Sequence, residues 1–399
     1  MLIKTIPETI TITPVPNQQF QTGQVLPIVG AHFIHDTYSA YVPSLLPVLI
    51  QRFSLSLTQA GSLTAVLQIP ALLNPFIGYL ADKVSLRYLV ILAPAVTATL
   101  ISSMGLAPNY FALAVILFAA GISTAAFHAP APAMIGRVSG RKVGLGMSLF
   151  MAGGELSRTV GPLLAVWAVS TWTLSGIYRT AVLGWAATIM LYLRLRRVPV
   201  GLERPGSIRS VLPLLRTLFL PLALINLFND FLLACLTSFL PTYLKMQGAT
   251  LLAAGGALSI LSFAGAAGAL TSGTISDWMG RKRVLLVATI SSVILMLIFL
   301  KIQGWLIIPV LLLLGFTSLS TSPVMLATVQ ENLPNNRAAG NGFYMFISFL
   351  VRPISTIAIG ALGDRIGLPS AFFWSTLVSL LSIPIILILP GISESRHQT

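Results

Sequence analysis

Long apolar runs alternate with short polar connections from about residue 25 to residue 390. Runs of roughly 20 apolar residues match the hydrocarbon thickness of a bilayer when coiled as helices. They lack the strict two-residue alternation of outer-membrane barrel strands. The pattern predicts an all-α membrane protein with twelve spans, at roughly 25–49, 58–80, 86–106, 110–135, 143–170, 174–195, 217–244, 250–275, 283–301, 305–330, 338–362 and 369–390. The longest polar interruption carries Arg196, Arg197, Arg204, Arg209 and Arg216 against Glu203 alone. It divides six spans from six. The expected organisation is a tail (1–24), a six-helix bundle (25–195), a basic linker (196–216), a second six-helix bundle (217–391) and a short tail (392–399).

The two bundles are copies. A shift of 194 or 195 residues carries Asp36 onto Asp230, Pro47 onto Pro241, Gly78 onto Gly273, Asp82 onto Asp277, Gly121 onto Gly315, Gly146 onto Gly340 and Arg158 onto Arg352. A constant offset through a whole half predicts two parallel six-helix pseudo-repeats. That is a transporter architecture, with the binding site between the halves near mid-membrane.

Composition agrees. Hydrophobic residues make up 55% of the 399 and charged residues 9%, against about 25% in soluble domains. The net charge of +14 is not a nucleic-acid signal, because the basic residues sit in short loops. Of the 24 Lys and Arg, 17 fall on the side of the termini and the central linker. This asymmetry predicts both termini in the cytoplasm of a cell whose plasma (inner) membrane the chain crosses. Residues 1–24 have no apolar core of a cleaved signal. The single Cys235 excludes an internal disulfide, and neither a cofactor nor a metal is expected.

Charges inside the spans carry the candidate chemistry. Asp36 and Asp230 fall near the middle of the first and seventh spans, Glu155 and Arg158 in the fifth, and Arg352 in the eleventh. An ionisable group at this depth is costly and marks an ion or substrate pathway, the plainer alternative being a structural ion pair. One Asp–Arg pair per half is expected. Glu155 is then a surplus acid, since its repeat position is Phe349. Two coupling schemes remain. A substrate anion could draw Arg158 away and let Glu155 take a proton. Otherwise Arg158 bridges Glu155 locally, and Asp36 carries the proton with His35, which with His32 can titrate near neutral pH. Arg158 and Arg352 suit a carboxylate or phosphonate because the guanidinium fork is bidentate. Asp230, Asn229 and His128 are further substrate-site candidates. His128 precedes Pro130 and Pro132, which free backbone carbonyls where a helix lines a cavity. Asn226 and Asn229 could equally tie helices together. Gly144, Gly146, Gly153, Gly154 and Gly161 make span five a close-packing seam.

Two loops share a pattern. One is GYLADKVSLR, with Gly78, Asp82 and Arg87; the other is GTISDWMGRKR, with Gly273, Asp277 and Arg281. Glycine permits a tight turn, the aspartate can accept from a helix N-terminus or an arginine, and the basic residues anchor to lipid. Both loops resemble the signature of the major facilitator superfamily, although Ser85, Leu86 and Trp278 depart from it. The resemblance implies a gating latch between the halves. The stretches HFIHDTYSAYVPSLLPVL, FHAPAPAMIGRVSGRKVGLGMS and GGELSRTVGPLL resemble the fosmidomycin-resistance-like branch. That likeness implies a proton-driven exporter of small, often anionic compounds, working as a monomer by alternating access. Its partners would be a small-molecule substrate, protons and the lipid bilayer. Uptake or facilitated diffusion of an organic anion is the alternative. No HExxH, GxSxG or P-loop occurs, so an enzyme is not expected.

Overall fold

The computed structural model describes residues 19–74, 76–77, 87–196, 212–333 and 337–389. Most of the basic linker, and Gly78 and Asp82 of the first loop signature, lie outside the described residues. Within them every regular element is helical. Nine helical segments among them are long and apolar enough to cross a membrane. One of these, Gly140–Leu195, is two rods, because Thr173 leaves the helical region (φ 63°) and the chain doubles back along the first helix. We number the rods α1 (Thr22–Ser39, continuing as Tyr41–Phe53), α2 (Leu57–Leu73), α3 (Arg87–Leu106), α4 (Tyr110–Val138), α5 (Val143–Gly176), α6 (Ala181–Leu195), α7 (Leu212–Met246), α8 (Leu251–Met279), α9 (Arg281–Phe299), α10 (Gly304–Asn332), α11 (Arg337–Ile366) and α12 (Leu368–Ile388).

Local sequence sets the ends and the breaks. Ser56 accepts from the Gln59 backbone N–H while the Gln59 side chain accepts from Ser56 N–H, a reciprocal cap that starts α2. Thr250, at the same place in the repeat, caps α8 by accepting from Ala253 N–H. In α4 the helix Tyr110–His128 gives way to Ala131–Val138, and Pro130 and Pro132 supply no N–H across the join. His128 therefore sits at a break, where its side chain is not confined to a continuous helix face.

Apolar packing follows the repeat. Two core clusters lie within α1–α6. A third lies within α7–α12. The fourth is built mainly by α7–α12 and takes in Leu46 and Ala60 from the first half. The halves meet along two seams, α2 with α11 and α5 with α8. On the first seam the backbones touch: a methyl on Gly360 would stand 2.3 Å from the Leu57 carbonyl. On the second, Val166 packs on Gly255.

The first seam also carries a polar clasp at the end of the bundle opposite the chain termini. Asp364, at the close of α11, accepts from Leu57 N–H at 2.7 Å, Thr58 N–H at 2.8 Å and the Thr58 hydroxyl at 2.5 Å. A carboxylate suits the positive end of the α2 dipole. Beside it a cavity of about 630 Å³ opens between the halves, lined by Gln51, Thr242, Lys245 and Leu251 among others. Charge-assisted hydrogen bonds contribute about 1.5 kcal/mol at the low end. Asp364→Ala should therefore shift the balance toward opening at this end by about tenfold. Labelling of a cysteine placed at Gln51, which lines that cavity, in a Cys235→Ser background, measures it; an unchanged labelling rate would reduce the clasp to a helix cap.

Candidate functional site

The centre of the first bundle is one carboxylate under three imidazoles. Asp36 lies on α1, with His32 one turn before it and His35 beside it. His32 Nε2 stands 3.1 Å from Asp36 Oδ2, and His35 Nδ1 stands 2.9 Å from Oδ1. His128 reaches across from the break in α4 and sets Nε2 3.0 Å from Oδ1. The far sides of two rings are also fixed. His32 Nδ1 donates to the Phe150 carbonyl of α5 at 2.8 Å. His35 Nε2 contacts Thr97 Oγ1 of α3 at 3.1 Å; Thr97 donates to Ser123 of α4, which donates to the Ala93 carbonyl. Phe127 stacks on His35 and Phe150 on His32. His32, His35 and Asp36 are buried, whereas the His128 side chain is 31% exposed.

Helix α5 approaches closely because Gly154 faces His32: a methyl there would lie 2.7 Å from the ring. The ligating atoms of His32, Asp36 and His128 lie within 4.8 Å of one another, a donor set that a divalent cation also accepts. Every imidazole is also at hydrogen-bond length from the carboxylate.

The second bundle repeats this layout with other chemistry. The shift of 194 residues carries His32 onto Asn226 and His35 onto Asn229. Asn226 donates to Ser348, and Asn229 joins Thr289 of α9 to Ser382 of α12. Asn229 thus ties helices together, one of the two roles that the sequence left open for it. Ser292 donates to Thr317 at 2.9 Å, as Thr97 donates to Ser123 at 2.8 Å. Asp230 has no imidazole beside it in this pattern. Its partner is Arg352 of α11, whose Nε and Nη2 both lie 3.2 Å from Oδ1.

The expected pair of Asp36 with Arg158 does not form. Three imidazoles surround Asp36, and Arg158 turns to Glu155 one turn away at 3.3 Å. The second half keeps its Asp–Arg pair, because asparagines stand where the histidines would be. Arg158 nonetheless occupies the place that Arg352 does. Arg158, Pro162 and Val166 share one face of α5, and that face packs on α8 farther along. Arg352, Thr356 and Gly360 share one face of α11, which packs on α2. Each arginine is thus the last residue of its stripe before the seam closes. Their side chains are 54% and 34% exposed.

The second loop signature is tied within its own half. Arg281 pairs with Asp277, with Glu331 of α10 at 2.7 Å, and with the Gly273 carbonyl at 3.0 Å. Among the described residues the partners of Asp277 and Glu331 are in α8–α10, so this copy fastens three helix ends of one half. Arg87 of the first copy opens α3.

Sequence reasoning gave no role to Thr97, Ser123 or Asp364, and singled out His32 only by its nearness. The i, i+4 spacing of His32 and Asp36, and the asparagines at the repeat positions, are the signals that could have marked the cluster.

Known proteins bear on this arrangement. The fosmidomycin resistance protein of Escherichia coli (strain K12) is 24% identical over 386 residues, covering 93% of this chain and 94% of its own. The MFS-type transporter YfnC of Bacillus subtilis (strain 168) is 24% identical over 393 residues, covering 94% and 93%. Among solved structures, a bacterial homologue of the human lysosomal transporter Spinster, in an inward-facing and occupied conformation, superposes with a TM-score of 0.80 at 14% identity over 93% of this chain and 97% of its own. The nucleoside transporter NupG superposes at 0.76 with 15% identity, over 92% and 100%. The family model for the Major Facilitator Superfamily matches residues 28–356. With paired arginine stripes at the seams of two repeated bundles, and a match across most of its length, this chain belongs to the major facilitator superfamily and is a membrane transporter, not an enzyme.

Proposed function

We propose that this transporter exports small organic anions in exchange for protons by alternating access. The observation that carries the reading is Asp36, buried under three imidazoles of which His128 alone is substantially exposed. Histidine is the side chain suited to exchanging protons near neutral pH, and imidazoles stand against Asp36 whereas an arginine stands against Asp230. The first half therefore supplies the proton site, and the second half a fixed charge pair. Arg158 and Arg352 supply cationic forks for an anion at the inner ends of the two seams. A drug-resistance relative suits export, and the clasp at Asp364 suits an exporter closed at the face away from the chain termini. One chain holds both halves, so a monomer suffices, in the plasma membrane with both termini cytoplasmic.

Growth of a pump-deficient host expressing the chain, over a panel of toxic organic acids and neutral drugs, tests the reading. Protection should appear for anionic compounds and vanish when the pH gradient is collapsed. Protection confined to neutral compounds, or sensitisation by the transporter, would overturn anion export; sensitisation favours uptake. Orientation has its own test. Cysteines at Ser207 and at Pro108, in a Cys235→Ser background, should label from opposite sides, with Ser207 reached from the cytoplasm.

A further inference from the structure

The chain has four histidines, and three of them converge on Asp36. The repeat does not call for this. The shift that carries Gly121 onto Gly315 puts Asn226, Asn229 and Ser322 at the places of His32, His35 and His128. Two of the three imidazoles, with the carboxylate, stand where a metal ion needs its ligands. His32 Nε2 lies 3.1 Å from Asp36 Oδ2, and His128 Nε2 lies 3.0 Å from Oδ1. One ligand atom from each of the three residues lies within 4.8 Å of the other two. With metal–ligand bonds of about 2.0–2.2 Å, atoms that share one ion lie about 3–3.5 Å apart. The cluster therefore stands close to ligand spacing.

The surroundings are those of a ligand shell. A histidine that binds a metal through one ring nitrogen gives the other to a carbonyl or carboxylate, and this outer partner fixes the ring. The Phe150 carbonyl lies 2.8 Å from His32 Nδ1, which leaves Nε2 for an ion. Phe150 also stacks on that ring, and Gly154 lets α5 come this close. Asp36 is braced in turn by His35, whose Nδ1 lies 2.9 Å from Oδ1 and whose Nε2 lies 3.1 Å from Thr97 Oγ1. Two of the three ligands thus have outer partners. The third, His128, stands at the proline break of α4 with its side chain 31% exposed. An entering ion meets it first.

We propose that His32, Asp36 and His128 form a binding site for a zinc-class divalent cation, which clamps the break in α4 to α1. The inference goes beyond the proton-exchange reading and does not depend on it. Two imidazole nitrogens and one carboxylate suit Zn²⁺, Co²⁺ or Ni²⁺, whereas Mg²⁺ and Ca²⁺ take shells of oxygen. Asp36 offsets one of the two charges of the cation, and the imidazole ligands add none, so the net charge held in the bundle is small. The clamp has a mechanical consequence. Pro130 and Pro132 supply no N–H across the join, so α4 can bend there. An ion on these three side chains ties that join to a continuous stretch of α1.

The test uses the full-length protein in detergent, with His397→Gln so that the tail histidine does not contribute. Isothermal titration with Zn²⁺ should show one ion bound per chain, and a large excess of Mg²⁺ should not compete. Loss of an outer partner alone weakens a metal site about 10–100-fold, so His32→Gln and Asp36→Asn should each weaken zinc binding by about 100-fold or more. A gain of signal guards against a variant that merely folds badly. His128→Cys, in a Cys235→Ser background, should bind Co²⁺ and add the near-ultraviolet charge-transfer band of a cobalt–thiolate bond. Zn²⁺ should also slow backbone hydrogen exchange in residues 124–134, and a chelator should reverse it. No bound zinc, an affinity unchanged by His32→Gln, competition by Mg²⁺, or no thiolate band in His128→Cys would overturn the site. Zinc bound without slower exchange at the break would overturn the clamp. Binding is read here without transport, so an export activity that ignores a collapsed pH gradient would sink the exchange reading alone.

Discussion

Asp36→Asn should abolish pH-gradient-driven transport while leaving energy-independent exchange of the same compound, identified from the resistance panel. The amide keeps the size and hydrogen-bonding capacity of the carboxylate but cannot supply its negative charge. Without that charge the imidazoles have nothing to neutralise and lose their reason to take protons in a buried site. The halves can still rock, since neither seam includes Asp36, so exchange persists. Net accumulation against a gradient should fall to background, a loss of roughly 100-fold or more by analogy with removal of a general acid–base group. Glu155→Gln is the control. Glu155 pairs with Arg158, so that variant should retain driven transport and change apparent affinity through the arginine. A Glu155→Gln protein without driven transport, beside an Asp36→Asn protein that keeps it, would return the coupling role to Glu155.

Of the two intramembrane arginines, Arg352→Met should strongly destabilise the protein and Arg158→Met should leave its stability nearly unchanged. Asp230 is 3% exposed and its Oδ2 has no hydrogen-bond partner, so both arginine contacts fall on Oδ1. Removing the arginine strands a buried carboxylate, which costs about 3 kcal/mol, the low end for a broken buried pair because about a third of the arginine side chain is already exposed. Thermal unfolding in detergent should show a large fall in midpoint, and Arg352→Met with Asp230→Asn should recover most of it. Arg158 is more than half exposed beside Glu155, so its loss should leave the midpoint within a degree or two by the weakness of exposed pairs. Its effect should be on transport, as weaker binding of anionic compounds and unchanged handling of neutral ones. Equal thermal shifts for the two variants would show that the repeat had not divided the roles.

The amino-acid sequence by itself determined the helical spans, the repeat offset, and the depth at which Asp36, Asp230, Arg158 and Arg352 lie. Each follows from local rules: apolar run length against bilayer thickness, proline and glycine at breaks, and the cost of charge in hydrocarbon. Tertiary structure alone decided the partners. Whether Arg158 meets Asp36 or Glu155 depends on how α1, α4 and α5 are rotated about their own axes. Those rotations are set by contacts such as Gly154 on His32, which join residues 122 positions apart. His128 enters the cluster from 92 positions away, and Asp364 reaches Leu57 across 307. No periodicity within one helix encodes such pairs. The repeat put equivalent residues at equivalent depths, but the packing of six helices around them decided that one aspartate would sit among histidines and the other on an arginine.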